Sequence, residues 1–260
     1  MPAEDEGRIR ADIVEVGRRL YARGLIGGNE GNISVRQESL LFITPAGVCK
    51  GFLSPEMIVR ADLAGRPMEG GRASTEVLMH TAVYRRRADV TAVVHAHPPT
   101  ATGFAVAEIP LDRPLIAEAV VTLGRVPIIP YGQPSTTELS ENVGNVICDA
   151  HALLMANHGA ITVGDSIWRA WERMETLEQL ARVTLVSRLL GGGTPLAPGA
   201  VDRLMEARAS AGYPPPSCDV PGAPVAAAPT AGGDDRVVLS RAELVRLVAE
   251  AVERFGGART

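Results

Sequence analysis

Long apolar runs are missing from this chain. No stretch reaches the roughly 18 consecutive apolar residues of a membrane span, and the acidic opening "MPAEDEGRIR" lacks the apolar core of an export signal. The expectation is a cytoplasmic protein with no membrane partner. Basic charge is not in excess either: 26 Lys and Arg stand against 30 Asp and Glu, a formal net charge of -4. That balance leaves no electrostatic footprint for nucleic acid. Cysteine is scarce, and Cys49, Cys148 and Cys218 are far apart and odd in number. The pattern predicts neither a disulfide framework nor a thiolate metal site and fits a reducing compartment. Histidine is rare as well, at five in 260 residues, so its placement is informative.

What is present is ordinary for a globular protein: 46% hydrophobic and 22% charged residues. The length allows one large domain or two small ones. Up to residue 190, helical and strand-like patterns alternate at short spacing. Helices are expected over 9–23, ending at Gly24, and over 75–87, 138–150 and 166–190. "NISVR", "LLFIT", "VPII" and "ALLMAN" read as strands. Trp168 and Trp171 read as core anchors. The reading is an α/β domain over 1–190, and periodicity leaves the strand directions open.

Residues 191–236 are rich in Gly, Pro and Ala, which predicts a disordered linker. The end of the chain, 237–260, regains a helical pattern. Ser240 and Glu243 have capping-box spacing, and Leu244, Leu247, Val248, Ala251, Val252 and Phe255 share one face. A short amphipathic helix on such a tether needs a surface to dock on.

Two histidines stand two apart in "VVHAHPPT", at the end of the β-branched run from Val90 to Val94. Positions i and i+2 of a strand face the same way, about 7 Å apart at Cα, so His95 and His97 can converge on one ion. Pro98 and Pro99 end the strand there. "LLMANHGAIT" brings His158 to the end of another strand before a glycine. "ASTEVLMH" adds Glu76 in a first helical turn. Three imidazoles and a carboxylate make a full ligand set for Zn²⁺, or for Mn²⁺ or Co²⁺. His80, one helical turn after Glu76, reads as a hydrogen-bonded helix residue, and His151 in "DAHA" as a surface residue.

A second constellation suits anions. "GGNEGNISVR" sets Gly31 and Asn32 in a glycine loop, "TPAG" makes a tight turn, and Ser74 and Thr75 offer hydroxyls at a helix start. Because Ser74 and Thr75 adjoin Glu76, a phosphorylated small molecule is the favoured substrate.

Taken in order, "GNISVR", "TPAG", "STE", "VVHAHP", "PYGQPST" and "ANHG" resemble the class II aldolase/adducin family over residues 8 to about 190. The resemblance implies a three-layer α/β/α fold with a largely antiparallel sheet, and cyclic homotetramers with active sites between subunits. It implies zinc ligands at His95, His97 and His158, a catalytic and metal-binding Glu76, and phosphate contacts at Gly31, Asn32, Ala46, Gly47, Ser74 and Thr75. Ala46 departs from the hydroxyl residue usual there, with its backbone left to donate. The implied reaction cleaves a ketose 1-phosphate to dihydroxyacetone phosphate and an aldehyde. Fuculose-type members protonate the aldehyde oxygen with a neighbouring subunit's tyrosine, whereas "RPLIAEAVV" here has no tyrosine and only Glu118 to titrate. Dehydratase, decarboxylase and epimerase members, and a non-catalytic adducin-like scaffold, therefore stay as alternatives. The terminal helix resembles the encapsulation peptides of enzymes carried into bacterial microcompartments, with a shell protein as partner.

Overall fold

The computed structural model describes residues 3–218 and Arg246. Chain contacts separate Met1–Ala226 from Ala227–Thr260, and the fold below belongs to the first unit. Its strands are β1 (Asn32–Gln37), β2 (Leu40–Ile43), β3 (Val59–Asp62), β4 (Pro67–Glu69), β5 (Ala92–Ala96), β6 (Ile128–Ile129), β7 (Ala152–Met155) and β8 (Gly159–Gly164). They form one sheet in the order β4-β3-β2-β1-β5-β8-β7-β6. Every pairing is antiparallel except β6 with β7, which is parallel.

The strands β5, β7 and β8 are buried along their whole length, because helices cover both sheet faces. One face carries Val93, Leu153, Ile161 and Val163, packed under α2 (Val77–Arg86) and α5 (Thr137–Val146). The other carries Ala92, Val94, Leu154 and Ala160. These pack against α1 (Ala3–Ala22), α3 (Pro99–Val106) and α6 (Ile167–Leu189), with the short α4 (Ala117–Thr122) beside them. The result is a three-layer α/β/α domain with a mainly antiparallel sheet.

The local signals for these elements are the expected ones, with shifted ends. Ser166 caps α6, its hydroxyl accepting the Arg169 N–H at 3.2 Å. Pro99 opens α3, where a missing N–H costs nothing. Helix α1 starts at Ala3 rather than near Ile9, since acidic residues suit the positive end of a helix. Trp168 and Trp171 are only partly buried, and the Arg19 guanidinium lies 4.9 and 4.8 Å from their ring centroids.

Three expectations are corrected here. The linker predicted as disordered from 191 contains α7 (Pro198–Ser210), which packs on α4. The segment after it is fastened down: Arg208 donates to Tyr213 O at 3.1 Å, and the Tyr213 hydroxyl donates to Glu172 at 2.6 Å. Cys148 and Cys218 form a disulfide across 70 residues of sequence, whereas the cysteine spacing suggested free thiols. His151 is buried, with Nε2 3.0 Å from Pro214 O; the returning segment covers what reads locally as a surface turn. The predicted terminal helix, 237–260, falls outside the described residues apart from Arg246.

Candidate metal centre and anion pocket

The end of β5 sets the geometry. His95 is fully buried on the α2 side, and its Nδ1–H donates to Ala160 O at 2.8 Å. That bond fixes the tautomer and leaves the Nε2 lone pair facing forward. His97 follows one pleat later, with its backbone N–H on Leu25 O at 3.1 Å. Its Nε2 is 3.2 Å from that of His95. His158 enters from the β7–β8 turn, where Asn157 takes a left-handed φ of 53°, a conformation that asparagine tolerates. A glycine is required at two approaches: a Cβ on Gly31 (φ +73°) would lie 2.8 Å from His95 O, and one on Gly159 would lie 2.6 Å from the His97 ring.

Glu76 completes the cluster at the start of α2. Its Oε2 is 3.2 Å from His95 Nε2 and its Oε1 is 3.3 Å from His158 Nε2. A tetrahedral ion with ligand bonds near 2.0–2.1 Å has ligand atoms about 3.3–3.4 Å apart. The spacings of 3.2, 3.2 and 3.3 Å match that figure, and the three histidines present ligand atoms within 4.8 Å of one another. Glu76 Oε1 is buried with no hydrogen-bond donor among the described residues, as suits an atom shaped for a cation. The residues fit a divalent metal.

The electrostatics agree. Burial pushes the Glu76 carboxyl up, but His95 and His158 beside it outweigh burial and hold it well below the usual carboxylate range. Burial, then His95 and His158, lowers His97 to about 4. At neutral pH the pocket therefore presents a carboxylate and a neutral His97.

Behind Glu76 runs a chain of buried polar groups that the sequence reading did not find. Asn32 faces His95 across the β1–β5 ladder. Its Nδ2 donates to Glu76 Oε2 at 2.7 Å, and its Oδ1 accepts from His80 Nε2. His80 Nδ1 is 2.6 Å from Ser34 Oγ, itself 2.8 Å from the Tyr84 hydroxyl. Burial, then His95, lowers His80 to about 3, so it is neutral. With Nε2 carrying the proton, Ser34 donates to Nδ1 and every bond in the chain is satisfied. His80 is thus no ligand; through Asn32 it orients Glu76. One helical turn separates His80 from Glu76, but Asn32 and Ser34 come from a distant strand that no local pattern reveals.

A cavity of about 210 Å³ opens beside the cluster. Every expected anion residue lines it: Gly31, Asn32, Ala46, Gly47, Ser74 and Thr75. Asn29, Glu30 and Lys50 line it too, and sequence reasoning missed them. Ser74 Oγ accepts the Glu76 N–H at 3.3 Å. One detail is corrected: the Ala46 N–H donates to Arg72 O at 3.0 Å, so this backbone group is already taken. Glu118 is elsewhere. It is exposed and lines a separate groove of about 570 Å³ with residues of α4 and α6.

The comparisons with known proteins agree with this geometry. The family profile "Class II Aldolase and Adducin N-terminal domain" matches residues 11–185. A 3-oxo-tetronate 4-phosphate decarboxylase of Pectobacterium atrosepticum is 32% identical over 187 residues, 70% of this chain and 85% of its own length. An L-fuculose phosphate aldolase of Methanococcus maripaludis is 33% identical over 178 residues, 67% of this chain and 95% of its own length. The L-fuculose-1-phosphate aldolase structure from Thermus thermophilus superposes with a TM-score of 0.66 at 35% identity, covering 73% of this chain and 99% of that one. YgbL from Klebsiella pneumoniae superposes with a TM-score of 0.72 at 30% identity, covering 76% and 98%. Motif order, fold and matched length all lead to one assignment: the chain is a lyase-type member of the class II aldolase and adducin family.

Proposed function

We propose that this protein is a zinc-dependent aldolase that cleaves a ketose 1-phosphate to dihydroxyacetone phosphate and an aldehyde. The observation behind the reading is the junction of two sites: a cluster of three histidines, His95 buried and His97 and His158 half-buried, with the Glu76 carboxylate against it, opens directly into a cavity edged by hydroxyls and glycines. Such a layout holds a phosphate at one end of a short substrate and its keto group at the other. A bound divalent ion, Zn²⁺ or in its place Mn²⁺ or Co²⁺, supplies Lewis-acid polarisation of the carbonyl. His95, His97 and His158 would hold it, with Glu76. Glu76 would exchange the proton at the carbon left behind when the carbon–carbon bond breaks, delivering there the equivalent of the one lost from the departing hydroxyl, and Asn32 steadies its carboxylate between transfers. Gly31, Asn32, Gly47, Ser74 and Thr75 position the phosphate.

A second reading rests on Glu118. Release of an aldehyde takes the proton from the substrate hydroxyl that becomes its carbonyl oxygen, and no titratable residue of the α4 segment lines this pocket to receive it. Loss of CO₂ from a phosphorylated 3-oxo acid has no departing hydroxyl to deprotonate, and relatives named as decarboxylases match over a similar length. In the aldolase reading Glu118 acts on a neighbouring subunit's pocket within a homotetramer. We further propose a cytoplasmic protein, carried into a bacterial microcompartment by a shell protein that binds the terminal amphipathic segment. No described helix is long and apolar enough to cross a membrane.

The test is a product assay. The metal-loaded protein is incubated with fuculose, rhamnulose and methylthioribulose 1-phosphates and with 3-oxo-tetronate 4-phosphate. Dihydroxyacetone phosphate from a ketose 1-phosphate supports the aldolase. CO₂ from the oxo acid alone selects the decarboxylase, and no product from any of them removes both readings.

A further inference from the structure

Of the 26 basic residues in this chain 25 are arginine, and Lys50 is the only lysine. The same residue is the one Lys or Arg side chain lining the cavity beside the histidine cluster. Elsewhere the composition uses arginine for every cationic role; here it keeps the compact, strongly hydrated point charge that fits a small phosphate site.

Lys50 is built into place. It is only 3% exposed and sits on a one-turn helix, Lys50–Phe52, packed against α1. A Cβ added to Gly17 would lie 2.4 Å from the Lys50 carbonyl oxygen, and one on Gly51 would lie 2.4 Å from the Tyr21 ring. Two glycines therefore let this turn seat closely on the helix, which fixes where the lysine backbone stands. The ammonium donates to Asn29 O at 2.5 Å and forms no ion pair among the described residues. An ammonium has three protons to place, and a buried charge without a counter-ion is costly. Burial also lowers the Lys50 pKa, with Cys49, Glu30 and Glu76 opposing it.

The pocket's other fixed charges sharpen the point. Glu30 and Glu76 both line it, and the Glu30 carboxylate accepts the Gly27 N–H. A phosphate dianion entering a cavity lined by two acidic residues meets repulsion that a nearby cation offsets, and the Ala46 amide is occupied. Resting on the phosphate-pocket reading above, we propose that Lys50 is the cation that binds the substrate's phosphate, donating through the protons that Asn29 does not take.

A single lysine makes the test direct. Feeding ¹³C,¹⁵N-lysine labels one residue, and its side-chain resonances can be followed in the metal-loaded protein as inorganic phosphate is added. The inference expects those signals to shift saturably, with the midpoint that calorimetry gives for phosphate. Lys50→Met should weaken phosphate binding at least about tenfold, the loss of one charge-assisted hydrogen bond, while metal stoichiometry is kept. Saturable phosphate binding with an unmoved lysine signal would overturn the role of Lys50 even if the variant failed to fold. Equal phosphate affinity in wild type and Lys50→Met would overturn it as well. A wild type that binds no phosphate in the presence of metal would overturn the phosphate-pocket reading and this inference together.

Discussion

At the scale of single residues, His95→Ala and His158→Ala should each strip most of the bound metal, because a three-histidine shell reduced to two no longer closes. Elemental analysis of purified variants checks this, and undiminished stoichiometric metal in both would remove the site. Glu76→Gln should retain the fold and much of the metal but lose about 10²- to 10⁴-fold in turnover, the usual weight of a general base. The pH dependence of stability follows from the buried histidines. Burial brings His80 to about 3 and His151 to about 3 from an ordinary value of 6.5. The unfolded chain therefore takes up protons below pH 6.5 that the folded one refuses until about pH 3. Stability should be flat above pH 7 and decline as pH falls from 6.5 toward 3, by about 1.4 kcal/mol per pH unit for each of the two. His97 in the metal-free protein acts in the same direction. Denaturant midpoints at pH 7.5, 6.5 and 5.5 check the slope, and His80→Leu should make it shallower. The convergence of His95 and His97 was legible because a two-residue spacing on a strand is a statement about geometry. The network behind it was not, since His80 finds Asn32 48 residues away.

At the scale of elements, the alternating patterns placed most helices and strands, while strand direction came only with the folded chain. Short apolar runs buried on both faces carry no mark of parallel or antiparallel pairing; the one parallel pair, β6 with β7, looks like the others in sequence. Composition misled over 198–218. Few large apolar residues are available there, yet α7 is held by Arg208, which donates to Leu123 O at 3.5 Å across a left-handed Gly124, and by Tyr213, whose ring lies 3.9 Å from the Arg169 guanidinium. Side-chain bonds to backbone carbonyls leave no periodic signature. The Cys148–Cys218 link should fasten this segment further. In the chain-entropy view a closed loop of this size stabilises by up to about 4 kcal/mol, but release of a terminal segment need not unfold the domain. Reduction, or Cys218→Ser, should therefore speed proteolysis within 191–218 much more than it lowers the domain's melting point. An equal cleavage rate with and without reductant would show that α7 stays in place without the disulfide.

At the scale of the whole molecule, two properties lie beyond a single described domain. The terminal segment 237–260 is proposed to target the enzyme. Its apolar stripe, with Leu247 at the centre, follows a stretch, 219–236, in which Val220 and Val225 are the largest apolar residues. Fused to a fluorescent protein, it should form puncta only when shell genes are co-expressed, and Leu247→Glu should disperse them; diffuse signal under both conditions would end the targeting idea. Glu118 poses the other question. It is exposed on a groove of its own, so its chemistry, if it has any, is done in another copy's pocket. Glu76→Gln and Glu118→Gln subunits then lack different halves of the same composite site. Each variant alone should be inactive as an oligomer. Mixed one to one by unfolding and refolding together, a ring in random order pairs an intact Glu76 with a neighbour's intact Glu118 at about a quarter of its sites. Recovered activity near that fraction places Glu118 across the interface. Full activity in Glu118→Gln by itself makes it a surface carboxylate and moves the weight to decarboxylation. Two inactive variants that stay inactive when mixed would show that Glu118 holds the assembly or its own subunit together instead of acting next door.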